Sequence, residues 1–250
     1  MGCIQKGSLL MAGLWICSAS LYAQLESNYE IGVNINAFVY QGDLTPSPAG
    51  SLKTMKPGAS VWVNRFLNNW FSLRGNLALG TLHGDDAAYA EPAWRRKRNL
   101  SFTSPVVEFS VLGVWSILGK NGGRNNHGLA PYLFAGAGYA WLHINRDWSR
   151  FNTTYFSAES RTLNGLAADT VHRLPSGIPV IPVGVGLRYA LSRHFSVNAE
   201  FSYRFTTTDY LDGFSQVANP QKKDYYYTFS GGLIYSWGEK DRMACPVIKY

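Results

Sequence analysis

Phe195-Ser196-Val197-Asn198-Ala199-Glu200-Phe201-Ser202-Tyr203-Arg204-Phe205 alternates apolar and polar residues without a break. Successive side chains of a strand point to opposite faces. Phe195, Val197, Ala199, Phe201, Tyr203 and Phe205 therefore share one face, and Ser196, Asn198, Glu200, Ser202 and Arg204 share the other. A strand of this length exceeds the roughly 5–6 residues usual in soluble sheets. It matches the roughly 9–11 residues that cross a bilayer at the tilt of a barrel strand.

The same alternation recurs on both sides of this stretch. From Tyr29 to Val39, Ile31, Val33, Ile35 and Ala37 oppose Glu30, Gly32, Asn34 and Asn36. Gly58–Phe66 follows, then Phe71–Leu79 with Arg74 on its polar face, and a segment from Phe102 to Ile117 with Glu108 on its polar face. Pro131–Ile144 alternates less cleanly. Val180–Leu191 carries Arg188 on its polar face, and Pro179 and Pro182 are expected to keep its beginning out of regular pairing. Tyr225–Trp237 closes the series. The pattern predicts an all-β fold, a transmembrane antiparallel up-and-down β-barrel of about eight strands occupying residues 24–237. A soluble sandwich or lipocalin-like barrel is the alternative.

Link lengths point the same way. The links after the first, third, fifth and seventh strands are long, at about 41–56, 82–101, 145–178 and 207–223, and the others are short. Outer-membrane barrels have short periplasmic turns and long extracellular loops in this alternating order.

The first residues read as a cleaved signal peptide, 1–23. Lys6 supplies a basic start, Leu9–Cys17 a short apolar run, and Ala23 a small residue at the cut. The run is too short to span a bilayer. An uncleaved anchor, or lipid attachment at Cys17, is the competing reading. Once the signal leaves, Cys245 is the remaining cysteine and no internal disulfide is possible. No Cys/His metal spacing stands out, and no cofactor is expected.

If the apolar faces meet lipid, the polar faces fill the lumen. An eight-stranded barrel has an interior just wide enough to be packed by side chains. Arg74, Glu108, Arg188, Glu200 and Arg204 are therefore expected to form an ion-pair network rather than line an open pore, with Glu30 solvated at the mouth. Gly136/Gly138 and Gly184/Gly186 superficially suggest a nucleotide loop. That loop needs a strand, then the glycines, then a helix, and these glycines lie inside alternating strands. They read instead as space for bulky neighbours. Tyr40, Trp62, Phe66, Trp70, Trp115, Tyr139, Trp141, Phe195, Tyr225 and Trp237 near strand ends suggest interfacial girdles.

Arg95-Arg96-Lys97-Arg98 is the clear charge run. Behind a signal peptide, nucleic acid is not a partner to expect. In the second long loop the run is positioned for lipopolysaccharide phosphates, so outer-membrane lipid is the expected contact; a solvated loop run is the other reading. Catalytic signals are thin: His83 near Asp85 and Asp86 lacks an evident nucleophile, and His194 near Ser196 sits at a periplasmic turn. The chain reads as a non-enzyme. The tail 238–250 holds Lys240, Arg242, Cys245 and Pro246 and is a candidate dock for a periplasmic partner; a disordered end or a lumen plug is the other reading.

Tyr40-Gln41-Gly42-Asp43-Leu44, Leu100-Ser101-Phe102, Ala130-Pro131-Tyr132-Leu133-Phe134-Ala135-Gly136, Thr206-Thr207-Thr208-Asp209-Tyr210-Leu211-Asp212 and Cys245-Pro246, in this order, resemble the small outer-membrane barrels of the Bacteroidota that include PorG, a type IX secretion system component. The resemblance implies a non-enzymatic barrel that anchors periplasmic lipoprotein rings, PorK- and PorN-like, at the outer membrane. The alternatives are a stand-alone OmpA-like structural or adhesion barrel and an outer-membrane lipid-modifying enzyme.

Overall fold

The computed structural model describes residues 29–47, 49–119, 128–219 and 223–237. The expected signal peptide, the tail with Lys240, Arg242, Cys245 and Pro246, and most of the turn from Gly119 to Gly128 lie outside the described residues.

The strands are β1 (Tyr29–Gln41), β2 (Lys56–Phe66), β3 (Phe71–Asp85), β4 (Ser101–Ser116), β5 (Leu129–Leu142), β6 (Asn145–Asp147), β7 (Gly177–Ala190), β8 (Phe195–Thr206) and β9 (Tyr225–Ser236). All but β6 form an antiparallel ring in the order β3-β2-β1-β9-β8-β7-β5-β4, and β3 pairs with β4 to close it. The closing ladder runs from Phe71↔Trp115 to Asp85↔Ser101. A closed ring leaves no strand edge, the condition for a sheet to exist in hydrocarbon.

The barrel is inside out relative to a soluble one, as the alternation requires. Val33 and Ile35 are 58% and 77% exposed, while Asn34 and Asn36 between and beside them are buried. In β8, Phe195, Phe201 and Phe205 face outward, and Ser196, Ser202 and Arg204 face the lumen. Lumen glycines make room for inward rings. A Cβ on Gly186 would lie 2.2 Å from the Tyr132 ring, and one on Gly184 2.3 Å from Phe134.

Several expectations are corrected. Tyr40, Trp62 and Phe66 do not belong to a girdle, because all three are buried. Trp62 has the polar parity of β2, and Gly32 across the strand pair leaves space for its indole. The start of β7 is not excluded from pairing: Pro179 stands opposite Tyr139, and Pro182 opposite Arg204 of β8. The ladder to β5 passes from Val183 to Val180, so the loss is local and confined to one neighbour. A proline removes only its own donor, and the strand continues around it. β3 runs past Leu79 to Asp85, extending the wall outward with β4.

The long links are folded. The second contains a 3-10 turn (Asp86–Ala88) and α1 (Trp94–Arg98), and the third contains β6 and α2 (Ser160–Val171). β6 pairs with Ser101–Thr103 of β4. Leu44, Leu100, Leu211 and Phe214 from the loops are fully buried and join Phe38, Tyr40, Leu82, Phe102 and Tyr226 of the wall in one apolar cluster. The loops thus put a hydrophobic plug in the outer mouth.

Leu77 lies midway along β3 on the lipid face, opposite Val61 and Phe109. Leu77→Arg is expected to destabilise the barrel in lipid vesicles by about 2–4 kcal/mol. Leu67→Arg in the β2–β3 turn is expected to change little, and equal urea midpoints for the two would contradict the assigned lipid face.

Candidate functional site

The lumen below the plug holds three arginine–glutamate pairs. Arg74 of β3 reaches Glu200 of β8 at 2.7 Å. Its guanidinium lies 4.0 Å from the Trp62 ring centroid, with Tyr132 and Phe134 beyond. The Tyr132 hydroxyl donates to the same Glu200 oxygen at 2.6 Å. Arg204 of β8 donates to Glu108 of β4 at 3.1 Å and also to the Ser202 carbonyl and Thr228 Oγ1. Tyr226 Oη completes the Glu108 site at 2.8 Å. Arg188 of β7 meets Glu30 of β1 at 2.8 Å, and Ser236 Oγ donates to the same carboxylate oxygen. Glu30 is therefore not solvated at the mouth: it is buried, with the Arg188 guanidinium on its carboxylate.

Charges balance one to one, and each pair joins strands far apart in sequence. Two of the spaces between these groups measure about 30 Å³ and 20 Å³. Each is the size of one or two water molecules. Among the described residues, side chains fill the lumen at the level of the pairs, and the apolar cluster fills it again toward the loops.

The cap is built on carboxylates. Asp86 is wholly buried and accepts from Arg95 Nη1 at 2.9 Å and from Arg98 Nε at 2.6 Å. The two guanidiniums also donate to the carbonyls of Asp43 and Thr45, clamping the first loop to the second. Arg95 and Arg98 are thus not presented to lipid phosphates. One side of the five-residue α1 faces the cap interior, and only Arg96 and Lys97 of the run are exposed. Burial pulls the Arg95 guanidinium below its ordinary value, against the opposing pull of Asp86.

Asp169 of α2 pins the fourth loop to the third. It accepts from the backbone N–H of Ser215, Gln216 and Val217 at 3.2, 3.0 and 2.8 Å. The Asn219 N–H donates to Asp43 Oδ2 at 2.9 Å and ties the fourth loop to the first. At the centre, Tyr40 Oη lies 2.8 Å from both Asp212 Oδ2 and Asp224 Oδ1. A phenol has one proton to give, so one carboxyl must be protonated and donate in return. Burial pushes both carboxyls well above the ordinary range; Asp43 adds to the effect at Asp212, and Asp212 adds to it at Asp224. Burial likewise raises Asp209 to about 6.

These cap aspartates were missed by pattern reading of the strands. The available signal was Leu211-Asp212-Gly213-Phe214, large apolar residues around an acid inside a long loop, which marks a buried rather than a solvated segment. Among the described residues, His83 and His194 form no acid–base dyad. His83 Nδ1 is 2.7 Å from the Phe102 carbonyl oxygen, Asp85 accepts from Ala87 N–H, and Ser196 Oγ accepts from Arg188. Among the described residues, no group of three or more His, Cys, Asp or Glu is arranged to hold a metal ion.

The family model described as outer membrane protein beta-barrel domain matches residues 9–236. Among curated proteins none matches. Among solved structures, the chain is similar to Ail of Yersinia pestis, at 13% identity over 85% of this chain and 100% of that one, TM-score 0.44. It is also similar to Neisserial surface protein A, at 10% identity over 84% and 97%, TM-score 0.48. For OprG of Pseudomonas aeruginosa the figures are 8% identity over 86% and 97%, TM-score 0.44.

Arg204→Leu leaves Glu108 buried without its cation and is expected to cost about 3–5 kcal/mol. Adding Glu108→Leu should recover much of that loss, and substitution of exposed Arg96 should be near neutral; equal urea midpoints for all three variants would show that the pair is not buried. A second expectation concerns pH. The folded Asp212/Asp224 site holds a proton that the unfolded chain releases near pH 3.9. Its contribution to cap stability is therefore complete below that value and is lost as pH rises through the raised folded value. Asp43, Asp209, Arg98 and Tyr40 are the charged or titratable groups facing it. Limited proteolysis between β8 and β9 should quicken in alkali. Asp212→Asn should flatten that response, because its amide donates to Tyr40 Oη while its oxygen still accepts from Phe214 N–H. Cleavage that slows as pH rises would place the shared proton elsewhere.

Proposed function

The chain belongs to the outer membrane protein β-barrel domain family, and from that premise we propose that it is a sealed, non-enzymatic anchor, PorG-like, that holds a periplasmic lipoprotein of a type IX secretion complex at the outer membrane. The observation that carries the reading is the closed lumen. Three paired arginines occupy the barrel below an apolar plug, and two of the cavities among them are water-sized. A barrel whose lumen is filled by side chains acts by the surfaces it presents.

The partner follows from the resemblance of Tyr40–Leu44, Ala130–Gly136 and Thr206–Asp212 to the Bacteroidota barrels, and it is of the PorK/PorN kind. The tail segment with Lys240, Arg242, Cys245 and Pro246 is the proposed dock, because in sequence it follows Ser236, the end of the last strand. The folded outer cap favours a second reading, a stand-alone structural or adhesion barrel whose business is at the cell surface.

Affinity purification of the full chain after cross-linking in cells separates the two. The anchor reading expects a periplasmic lipoprotein to co-purify, and removal of residues 239–250 to abolish this while membrane insertion persists. An inserted full-length barrel that brings down no lipoprotein would leave the stand-alone reading. Purified barrel in planar bilayers is expected to show no large stable conductance, and such a conductance would overturn both.

A further inference from the structure

The lumen cavity of about 30 Å³ carries polar atoms that the protein itself does not satisfy. Trp62, Asn64 and Arg74 line it and are 2%, 3% and 4% exposed. Trp62 Nε1, Asn64 Oδ1 and Arg74 Nε have no hydrogen-bond partner within the protein. The three side chains are neighbours. Asn64 stands opposite Arg74 in the β2–β3 ladder, and Trp62 lies two residues away on the same face. The Arg74 guanidinium is 4.0 Å from the Trp62 ring centroid.

The charges around the cavity are already spoken for. Arg74 Nη1 is on Glu200, which also takes the Tyr132 hydroxyl, and Arg188 is on Glu30. Two N–H donors and one carbonyl acceptor remain. An indole nitrogen and a guanidinium nitrogen can only donate, and an amide oxygen can only accept. Buried groups of this kind are costly when left unpaired, and native proteins satisfy nearly all of them.

Three occupants can be weighed against this. An apolar molecule would leave all three atoms unpaired. A chloride ion would accept from both N–H groups, but it would lie beside Glu30 and Asn64 Oδ1, and both arginines are already neutralised by carboxylates. Water accepts and donates alike, and one molecule needs about 10–15 Å³ of such space. We infer that the cavity between Trp62, Asn64 and Arg74 is a binding site for one or two resident water molecules, which accept from Trp62 Nε1 and Arg74 Nε and donate to Asn64 Oδ1. They complete the seat of Arg74 and give Trp62 a use for its N–H inside the barrel, where phenylalanine would offer the ring alone. They are the part of the lumen's water that is kept when the wall closes.

Water-to-indole NMR tests this on the full chain in lipid nanodiscs, with isotope-labelled tryptophan. The Trp62 N–H signal is assigned by its loss in Trp62→Phe. If that variant lacks the gel shift on boiling that reports a folded barrel, the signal is assigned by elimination, with phenylalanine at each other tryptophan in turn. Magnetisation transfer from water, measured in the laboratory and rotating frames, separates a bound water from proton exchange by sign. Direct transfer from a long-lived water to Trp62 Nε1–H is expected. Asn64→Leu removes the acceptor and fills the space, and in a barrel that still shifts on boiling it should abolish that transfer. Exchanging chloride for gluconate in the buffer should leave the Trp62 N–H shift unchanged. A shift that follows chloride would identify an anion, and no direct transfer to Trp62 in the folded barrel would identify a dry cavity. Either result overturns the assignment, as does transfer that survives unchanged in folded Asn64→Leu.

Discussion

Charge inside a ring of eight strands has nowhere to go except onto an opposite charge. The lumen is too narrow for bulk water, and the wall is surrounded by hydrocarbon. Arg74, Arg188 and Arg204 therefore sit on Glu200, Glu30 and Glu108 across the interior. Pairs of this kind add modest net stability, because both partners give up their hydration. Their influence lies in the penalty for every other arrangement. A wall shifted by one residue would turn those charges toward lipid and bring Phe201, Phe205 and Val33 inward, so the pairs fix the register around the barrel.

The outer half solves the same problem by different means. There the lumen turns apolar, with Phe38, Tyr40, Phe102 and Tyr226 on the wall, and the loops supply Leu44, Leu211 and Phe214 to fill it. Polar groups within the cap are handled by aspartates that each gather several donors: Asp86 from two arginines, Asp169 from three successive amides. Loops with such anchors are part of the fold rather than appendages to it.

Strand faces were legible in the sequence because lipid and lumen impose opposite demands at a spacing of two residues, as between Val33 and Asn34. Link lengths read true for the same reason: a membrane fixes how long each strand must be. The cap was not legible. Arg95-Arg96-Lys97-Arg98 looks like a solvated run, and nothing local reveals that Asp86 will face two of its members inside a turn of helix. Trp62 and Tyr40 resembled girdle residues by position, and only the glycine opposite Trp62 and the paired aspartates around Tyr40 explain their inward course. The two ends of the chain gave expectations that lie outside the described residues.

Each lumen pair has a consequence for assembly. Glu30 stands on the first strand and meets Arg188 only when the sixth long strand is in place. Arg74 waits for β8, and so does Glu108. A chain that threaded into the bilayer strand by strand would carry bare charges through most of its course. The interior must therefore stay wet until the last strands arrive, and its water must leave as β1 and β9 complete the ring. Closure of the wall and drying of the lumen are a single late event, and half-built barrels of this sequence have no stable resting point in the membrane.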